Sequence, residues 1–531
     1  MIMLRNLSKY KIVFILSICC LSAYASFGQK HDYNFLNRFS ENSGGIQLTY
    51  SDDGDSLKVL PDYRNYTMTS GNPFSDRNGE LLFFSNNLHV YNRDVEIIEN
   101  GEDIAVGGFL PNLYSRDTTA TFGVGQNWLT IPISDSLFYA FHKSAEISAY
   151  EFFDLDIYEN GQRLSIYCDG LYLTKIRLSH TGKLYIKPDE KQILLVDDKL
   201  EHNQLTVCKH ANGRDWWIHQ PKVETSDAYL IRLYADGTMD DPKLEYFSEH
   251  NGRVRSNSVT RTNPDGTVLA RFIGLWGIDS LMHKIELFHF DRCTGGTERF
   301  FVDSLSLAPF NTRGKDIEFS SSGRFLYIAN TSNILQLDLE DDNFFLNRDT
   351  IAVWDGFVLD NQPAFFEDMW RLPNGKIAIN NRFRVPYLNY IHDPDKKGID
   401  CDFEARALMS SIDSINPRFH LGIQWMPYFP EYRMEALDIN CTTSMDTNIA
   451  DELDVNVYPN PALDEINVDL RGEVEEVIVK VFSSTGALIY SVSTSSGRLK
   501  IPTYDYTRGM YYMTISSKKD AKQFSTKFIK I

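Results

Sequence analysis

An acidic stretch in the last third of this 531-residue chain contains the residues that come closest to a metal site. Asp393 and Asp395 stand at the first and third positions of a twelve-residue segment that ends at Glu404 and has a glycine at its sixth position. Carboxylates at these positions, with a glycine for the sharp turn, are typical of calcium loops. Lys397 stands where another ligand oxygen is needed, so the pattern favours a solvated turn between strands over a calcium site.

The aromatic and imidazole side chains of Trp216, Trp217 and His219 form a second group that could bind a ligand. Successive side chains of a strand point to opposite faces, so one surface can receive at most one of the two tryptophans. Packing between neighbouring sheets therefore explains both tryptophans better than a binding surface does. His289, within another apolar strand, is interpreted in the same way as a strand or core histidine.

Catalytic motifs are largely missing from the sequence. It contains no G-x-S-x-G elbow, no H-E-x-x-H pair and no glycine-rich phosphate loop. Its 72 acidic residues offer too many carboxylate pairs for spacing to identify those of a glycosidase. The sequence therefore assigns no catalytic, cofactor-binding or metal-binding residue. The formal net charge of −19 argues against a nucleic-acid partner, which needs a clustered basic surface.

The elements that would position any site are best seen in the stretch Asp316–Glu340. DIEF alternates apolar and acidic residues, and Gly323 follows in a turn where a positive φ is needed. FLYIA then places apolar side chains on both faces, as a strand that is covered on both sides requires. ILQLDLE returns to alternation, with leucines on one face and polar residues on the other. The stretch predicts three strands of a small antiparallel sheet that is polar at its outer strand.

Variants of this unit recur along the chain. Turns near Asp135, Gly213, Gly266, Gly323 and Gly375 are mostly about 50–60 residues apart, with a longer gap around residues 156–199. A repeat of that length with four strands predicts a β-propeller. We expect six or seven blades and prefer seven, because the long gap could hold an extra one. A pair of β-sandwiches is the main alternative, but it would not need a doubly apolar strand after each turn.

The N-terminus predicts export. Residues 1–28 combine a basic start, a short apolar core and a small-x-small cleavage site, as a secretory signal peptide does. No later apolar run approaches the length of a transmembrane span. Removal of the signal leaves an odd number of cysteines, so we expect at least one unpaired thiol and one or two possible disulfides. The pairing cannot be derived from the sequence; the five cysteines are Cys168, Cys208, Cys293, Cys401 and Cys441.

The chain changes character after about residue 435. We expect a propeller over residues 30–435, a polar linker over 436–453 and a separate domain over 454–531. Short strands at regular spacing predict that the last domain is a small seven-strand, Ig-like β-sandwich. The fold class is thus all-β, with a propeller followed by a sandwich.

Two motifs mark the beginning and the end of this last domain, and their residues are Tyr458, Pro459, Asn460, Pro461, Gly509, Tyr511, Tyr512, Lys527 and Lys530. These motifs closely resemble the type A C-terminal sorting domain of the type IX secretion system, the Por secretion tail family. The resemblance implies export to the periplasm, passage through the outer membrane by the type IX machinery, and removal of the domain by a sortase-like peptidase. The remainder would then be released or attached to surface lipopolysaccharide.

The body of the chain, over roughly residues 31–430, is similar to propeller modules of large surface proteins that carry the same sorting domain. This likeness indicates the fold more than the function, because propellers host many unrelated activities. The leading hypothesis is a non-enzymatic protein, displayed on the cell surface or released, that binds an unknown surface protein or glycan. The alternative is a secreted polysaccharide hydrolase or lyase on a propeller scaffold. A purely structural role in surface assembly is a third hypothesis.

Overall fold

The chain folds into two compact units, Met1–Cys441 and Thr442–Ile531. The computed structural model describes residues 29–38, 45–50, 56–60, 72–104, 128–144, 146–148, 157–159, 162–201, 204–223, 225–248, 258–274, 282–306, 316–359, 361–381, 387–407, 428–437, 441, 455–470, 476–483, 488–517 and 523–531. The predicted signal peptide and most of the predicted linker lie outside these residues.

Seven of the antiparallel sheets in the described part of the first unit follow one another as propeller blades, and we number them blades 1 to 7. The strands of blade 1 are β1 (Asn34–Arg38), β2 (Gly45–Thr49) and β3 (Ser56–Leu60). The strands of blade 2 are β4 (Asn72–Ser75), β5 (Leu81–Ser85) and β6 (Val90–Asn92). Blade 3 begins with β7 (Trp128–Ser134) and β8 (Leu137–Lys143).

Blade 3 is interrupted after β8 by a small sheet of β9 (Glu146–Ser148), β10 (Ile157–Glu159) and β11 (Gln162–Tyr167). It then continues with β12 (Leu171–Leu178), β13 (Leu184–Ile186), a 3₁₀ turn (Pro188–Glu190) and β14 (Ile193–Val196). The gap around residues 156–199 is therefore filled mainly by an insertion and by the outer strands of blade 3. The sheet that brings the count to seven is blade 1, at the N-terminus.

Blades 4 to 7 have four strands each. Blade 4 consists of β15 (Thr206–Lys209), β16 (Trp216–Pro221), β17 (Asp227–Leu233) and β18 (Lys243–Tyr246). Blade 5 consists of β19 (Val259–Thr262), β20 (Val268–Gly274), β21 (Met282–Phe290) and β22 (Thr297–Ser306). Blade 6 consists of β23 (Asp316–Phe319), β24 (Phe325–Asn330), β25 (Asn333–Asp338) and β26 (Asp349–Val353).

A short hairpin of β27 (Val358–Leu359) and β28 (Gln362–Pro363) precedes the last blade. Blade 7 consists of β29 (Phe366–Arg371), β30 (Ile377–Asn381), β31 (Asn389–Ile391) and β32 (Phe403–Glu404), with a 3₁₀ turn (Gly398–Cys401) before β32. The first strands of successive blades contact one another in most cases. The ring of Tyr50, next to β2, packs edge-on against Trp370 of blade 7 at 5.2 Å, so blade 7 lies beside blade 1 and the ring of blades is closed.

The doubly apolar strand β24 shows why the sequence forms a propeller. Leu326 and Ile328 pack into a core shared with blade 5, whereas Phe325 and Tyr327 pack into a core shared with blade 7. Each blade is thus covered on both faces by its neighbours, and burial of each large apolar side chain contributes about 1.5–3 kcal/mol. Gly323 has the predicted positive φ, at 75°.

The prediction of a polar outer face on β25 is wrong. Gln336 and Asp338 are buried, because the loop before β32 lies over them. Gln336 donates a hydrogen bond to the carbonyl of Lys396 at 2.7 Å and accepts one from the amide of Gly398 at 2.7 Å. Lys397 forms an ion pair with Asp338 at 3.3 Å. The neighbouring blade therefore supplies partners for polar side chains that would otherwise face water.

The second unit has seven strands in two sheets among its described residues, as predicted for a sandwich. One sheet has the order β33-β34-β37 and the other β36-β35-β38-β39, and both contribute to one apolar core. The strands are β33 (Val455–Tyr458), β34 (Glu465–Leu470), β35 (Val477–Ser483), β36 (Leu488–Thr494), β37 (Arg498–Pro502), β38 (Gly509–Ser517) and β39 (Gln523–Lys530).

Candidate functional site

The segment 428–437, which we call the plug, lies against the first strands of several blades. Its central residue Tyr432 is 1% exposed and donates a hydrogen bond from its hydroxyl to the carbonyl of Thr130 in blade 3 at 2.8 Å. The same ring packs against Phe74 of blade 2 and Trp216 of blade 4, with centroids 6.1 and 6.3 Å away. Since first strands surround the axis of a propeller, the plug fills its central channel.

The C-terminal end of the plug is held by Arg292, which is almost completely buried. Its guanidinium donates to the carbonyl of Glu435 in the plug at 2.6 Å and to the carbonyls of Lys209 and Asp265 at 2.8 and 2.7 Å. The next residue, Cys293, forms a disulfide with Cys441. Hydrogen bonds and a covalent bond therefore fasten the end of the first unit to the turn between β21 and β22.

The disulfide resolves the pairing that the sequence left open, and Cys293 is not a free thiol. The three remaining cysteines of the described residues are buried thiols. Burial raises the pKa of Cys168 to about 11 and that of Cys208 to about 12, so these thiols stay protonated at neutral pH. Cys401 is the third buried thiol, and burial raises its pKa as well.

A pocket of about 190 Å³ lies between the plug and blades 5, 6 and 7. Its floor and walls come from the ends of first strands, and its mouth comes from the turns that follow those strands. We call this end of the ring the turn face. The residues that line the pocket are Asp32, Arg261, Thr262, Pro264, Glu318, Ser321, Trp370, Arg371, Leu372, Pro373, Gly375, Tyr428, Phe429, Pro430, Glu431 and Arg433.

Three arginines and three carboxylates line this pocket, and two of the arginines are paired with carboxylates that also line it. Arg433 binds Asp32 through two hydrogen bonds of 2.7 and 2.5 Å. Arg371 forms an ion pair with Glu431 of the plug. Both pairs join the plug to blades 1 and 7, so they fix the walls of the pocket and balance its charge.

Arg261, the third arginine, is 6% exposed and only partly satisfied. Its Nη2 donates to Asp316 at 2.8 Å, and its guanidinium lies over the ring of Tyr428 at 4.5 Å. None of the residues that the structure describes accepts a hydrogen bond from its Nε or Nη1 atoms. The nearest further carboxylate, Glu318, is 3.9 Å from Nε. Buried donors without acceptors are costly, so these N–H groups mark the wall where a ligand or water would bind.

Asp316 and Glu318 belong to the acidic face predicted for DIEF, but the structure buries both at the ring centre. They accept hydrogen bonds from the backbone amides of Met369 and Arg371 in blade 7 at 3.1 and 3.4 Å. Burial raises the pKa of Asp316 to about 6, although the neighbouring Arg261 opposes this shift. Sequence reasoning missed this centre; the signal was the presence of charged residues in short first strands such as VTRT and DIEF.

The carboxylates of the stretch that imitates a calcium loop, 393–404, contact other protein groups. Asp393 pairs with Lys396 at 3.0 Å, and Asp395 accepts hydrogen bonds from the amide and hydroxyl of Ser322 at 2.8 and 2.6 Å. Glu404 contacts His392 at 2.8 Å. Among the residues that the structure describes, no group of three or more His, Cys, Asp or Glu side chains is arranged to hold a metal ion. This stretch instead covers blade 6.

Trp216 and Trp217 are both buried and lie in different cores, as the alternation of the strand predicts. Trp217 donates from its indole to the carbonyl of Arg292 at 2.9 Å. His219 is buried between blades, and burial lowers its pKa to about 3, so its imidazole is neutral. His289 is exposed on β21 and stacks on Phe300 at 4.3 Å. Trp216, Trp217 and His219 are therefore packing elements, whereas His289 lies on the exposed side of its strand.

The motif residues of the second unit meet around its last strand. Asn460 accepts a hydrogen bond from the amide of Ile529 at 2.9 Å and donates one to the carbonyl of Lys527 at 3.3 Å. Gly509 pairs with Lys530, and Tyr511 stacks on Phe528 with centroids 5.5 Å apart. The beginning and the end of the domain thus form one structural element.

Several motif side chains face outward. Tyr458 donates from its hydroxyl to Asp469 at 2.8 Å, and Pro459 and Pro461 are exposed, each following a cis peptide bond. Tyr512 is 46% exposed beside Lys527 on the neighbouring strand, whereas Lys530 is buried. The motif therefore combines residues that fix the last strand with residues available to another protein.

Residues 456–531 match a known protein family, described as the secretion system C-terminal sorting domain. The second unit is a secretion sorting domain. Its presence shows that the chain is a cargo of the type IX secretion system, exported to the cell surface or the extracellular space. Within the described residues, no helix has the length and apolar character needed to cross a membrane.

Solved structures resemble the chain only distantly, and no curated protein matches its sequence significantly. PorZ, a surface component of the type IX secretion system of Porphyromonas gingivalis, is 12% identical, with 94% of this chain and 74% of PorZ covered and a TM-score of 0.29. The β-propeller domain of Vanderwaltozyma polyspora Nup133 is 8% identical, with 66% and 91% covered and a TM-score of 0.32. With TM-scores this low, neither likeness carries an argument about function.

Proposed function

We propose that this chain is an exported binding protein whose propeller holds its ligand at the turn face without catalysing a reaction. The observation that carries the proposal is the plug. Tyr432 and its neighbours occupy the centre of the ring, and the space that they leave is a small pocket on one face. A rigid ring with a filled centre and a lined pocket is suited to recognition, because the walls are fixed before the ligand arrives.

The charges in the pocket support binding over hydrolysis. A glycosidase needs one carboxyl group with a raised pKa as general acid and a second carboxylate across the scissile bond. Asp32 and Glu431 are each held in an ion pair with an arginine of the pocket, so neither carboxylate is free to act on a substrate. Asp316 has a raised pKa, but it is buried behind Arg261 and is not one of the lining residues.

The test uses the purified full-length chain on an array of neutral and acidic glycans, together with a reducing-end assay on the polysaccharides that it binds. Binding without new reducing ends is the expected result. New reducing ends without unsaturated products would show that the chain is a hydrolase, and new reducing ends together with unsaturated products that absorb ultraviolet light would show that it is a lyase; either result overturns the proposal. Binding to a purified surface protein instead of any glycan would keep the binding function and change its partner.

We further propose that the outward-facing motif residues are read by the type IX machinery and that a sortase-like peptidase then removes the domain. Deletion of Val455–Ile531 should leave the protein in the periplasm of its own cells. Cell fractionation with an antibody against the first unit measures this. Normal surface display or release of the deleted chain would refute the proposal.

A further inference from the structure

We propose that the pocket beside Arg261 binds one neutral saccharide unit. This inference rests on the proposed binding function and adds the chemical class of the ligand. Its first support is that Arg261 presents three N–H bonds, one on Nε and two on Nη1, that find no acceptor among the described residues. A sugar can supply that acceptor, because the lone pairs of its hydroxyl oxygens and ring oxygen can accept the hydrogen bonds that water would otherwise accept.

The charge of the pocket favours a neutral ligand over an anion. Arg261, Arg371 and Arg433 line it together with three carboxylates, so the lining has no net charge. Asp316, directly behind Arg261, adds a further negative charge when ionised. A phosphate, sulfate or carboxylate would be attracted to the guanidinium of Arg261, but it would also lie close to these carboxylates. Repulsion between like charges in a partly buried site would offset that attraction.

The mixture of groups on the walls is that of a sugar site. A pyranose ring has hydroxyls that both donate and accept and a less polar face formed by its C–H groups. Glu318 and Glu431 supply acceptors for hydroxyl protons, while Trp370 and Phe429, with ring centroids 5.5 Å apart, supply aromatic surface for the C–H face. A site that offers donors, acceptors and aromatic surface discriminates in favour of a ligand that uses all three.

The pocket is also reachable from outside the ring. Ser321, at its mouth, is exposed and belongs to the turn between β23 and β24. Its hydroxyl lies 3.3 Å from the carbonyl of Gly375 in the corresponding turn of blade 7. This hydrogen bond joins the two turns into one rim of the pocket, so a terminal sugar of a glycan chain would enter beside that rim while the rest of the chain stays outside, which matches a location at the cell surface or beyond.

Ligand-observed NMR titration of the full-length chain tests the proposal. The probes are methyl glycosides of glucose, galactose, mannose and N-acetylglucosamine, with glucuronic acid, inorganic phosphate and inorganic sulfate as charged probes. We expect at least one neutral glycoside to bind and the charged probes to bind at least about tenfold more weakly. Phosphate, sulfate or glucuronic acid binding more tightly than every neutral glycoside would overturn the assignment, and so would the absence of binding by all probes.

Two variants test whether the glycoside binds in this pocket. R261K keeps a positive charge beside Asp316 but removes the planar set of donors, and we expect at least about tenfold weaker binding. S321W fills the mouth from an exposed turn and should weaken binding similarly even if R261K is poorly folded. R324K is the matched control for the first, because Arg324 binds Asp338 on blade 6 outside the pocket.

S136W is the control for S321W, since Ser136 is exposed in the corresponding turn of blade 3. Unchanged glycoside binding in both R261K and S321W would overturn the inference. If a glycan of the array binds equally well to S321W, the pocket inference fails while the proposed binding function stands. If instead glycans are cleaved, the proposed function fails, whatever the titration shows.

Discussion

Removal of the disulfide should destabilise the first unit and leave the sorting domain unaffected. Cys293 and Cys441 are separated by 148 residues. In the chain-entropy treatment, a cross-link that closes a loop of this length lowers the entropy of the unfolded chain by about 17 cal/mol/K, or about 5 kcal/mol at 25 °C. Measured effects are commonly smaller, so we expect Cys441→Ala to cost about 3–5 kcal/mol.

Differential scanning calorimetry at one scan rate measures this effect with an internal control. Without the predicted signal peptide the first unit has about 410 residues, and its unfolding entropy is about 2.1 cal/mol/K per residue. A loss of about 3–5 kcal/mol in the free energy of unfolding then corresponds to a fall of roughly 3–6 °C in the melting temperature of the first unit. The sorting domain contains no cysteine, so its transition should not move.

The double variant sharpens the test. Cys293→Ala should lower the melting temperature as much as Cys441→Ala, and the two together should cost no more than either alone, because one bond is lost in all three chains. Additive losses would mean that each cysteine acts through its own packing. An unchanged first unit, or an equal shift of the sorting domain, would refute the reasoning.

Three further predictions concern the plug, the ring centre and the sorting motif. Tyr432→Phe removes the hydroxyl that donates to the buried carbonyl of Thr130 and should lower the free energy of unfolding of the first unit by about 1–3 kcal/mol. Urea denaturation measures this, and an unchanged free energy would contradict the role of this hydrogen bond. The pKa of Asp316 is raised, from an unfolded value of about 3.9 to about 6, so its contribution to stability is present below about pH 4 and is lost as the pH rises through 6. The stability of the wild type should therefore fall relative to Asp316→Asn over this range, by at most about 3 kcal/mol, and a difference that is flat with pH would refute the shift. Asn460→Ala removes two hydrogen bonds to the last strand and should destabilise the sorting domain by about 1 kcal/mol and reduce export, whereas the exposed Asn456→Ala should do neither.

The architecture of the blades could be predicted because it depends on local patterns. Apolar residues at successive positions of FLYIA require covered faces on both sides, and the structure places the two sets in cores shared with different blades. Gly323 has the positive φ that its turn position predicts, and Gly375, in the corresponding turn of blade 7, has one as well. Blade 1 was missed as the source of the seventh sheet because the repeat was counted from the turn at Asp135 onward.

The pocket could not be predicted, since its parts are distant in sequence. Arg261, Glu318 and Arg371 lie at the ends of three different first strands, and Glu431 and Arg433 come from the plug. These residues come together only when the ring of blades closes, and their spacing in the sequence does not predict those contacts. The disulfide has the same origin, because a separation of 148 residues cannot be distinguished from other pairings by spacing. The sorting motif was visible because its resemblance to a known family supplied the information.

A crystal structure of the full-length chain soaked with the methyl glycoside that binds best tests the central claim most directly. We expect the sugar to lie beside Trp370, with one of its oxygens within hydrogen-bond distance of Arg261 Nε or Nη1, and the plug to remain in the channel. A sugar bound elsewhere with the pocket unoccupied by it, or a displaced plug with the sugar in an opened channel, would contradict the account of a plugged binding propeller.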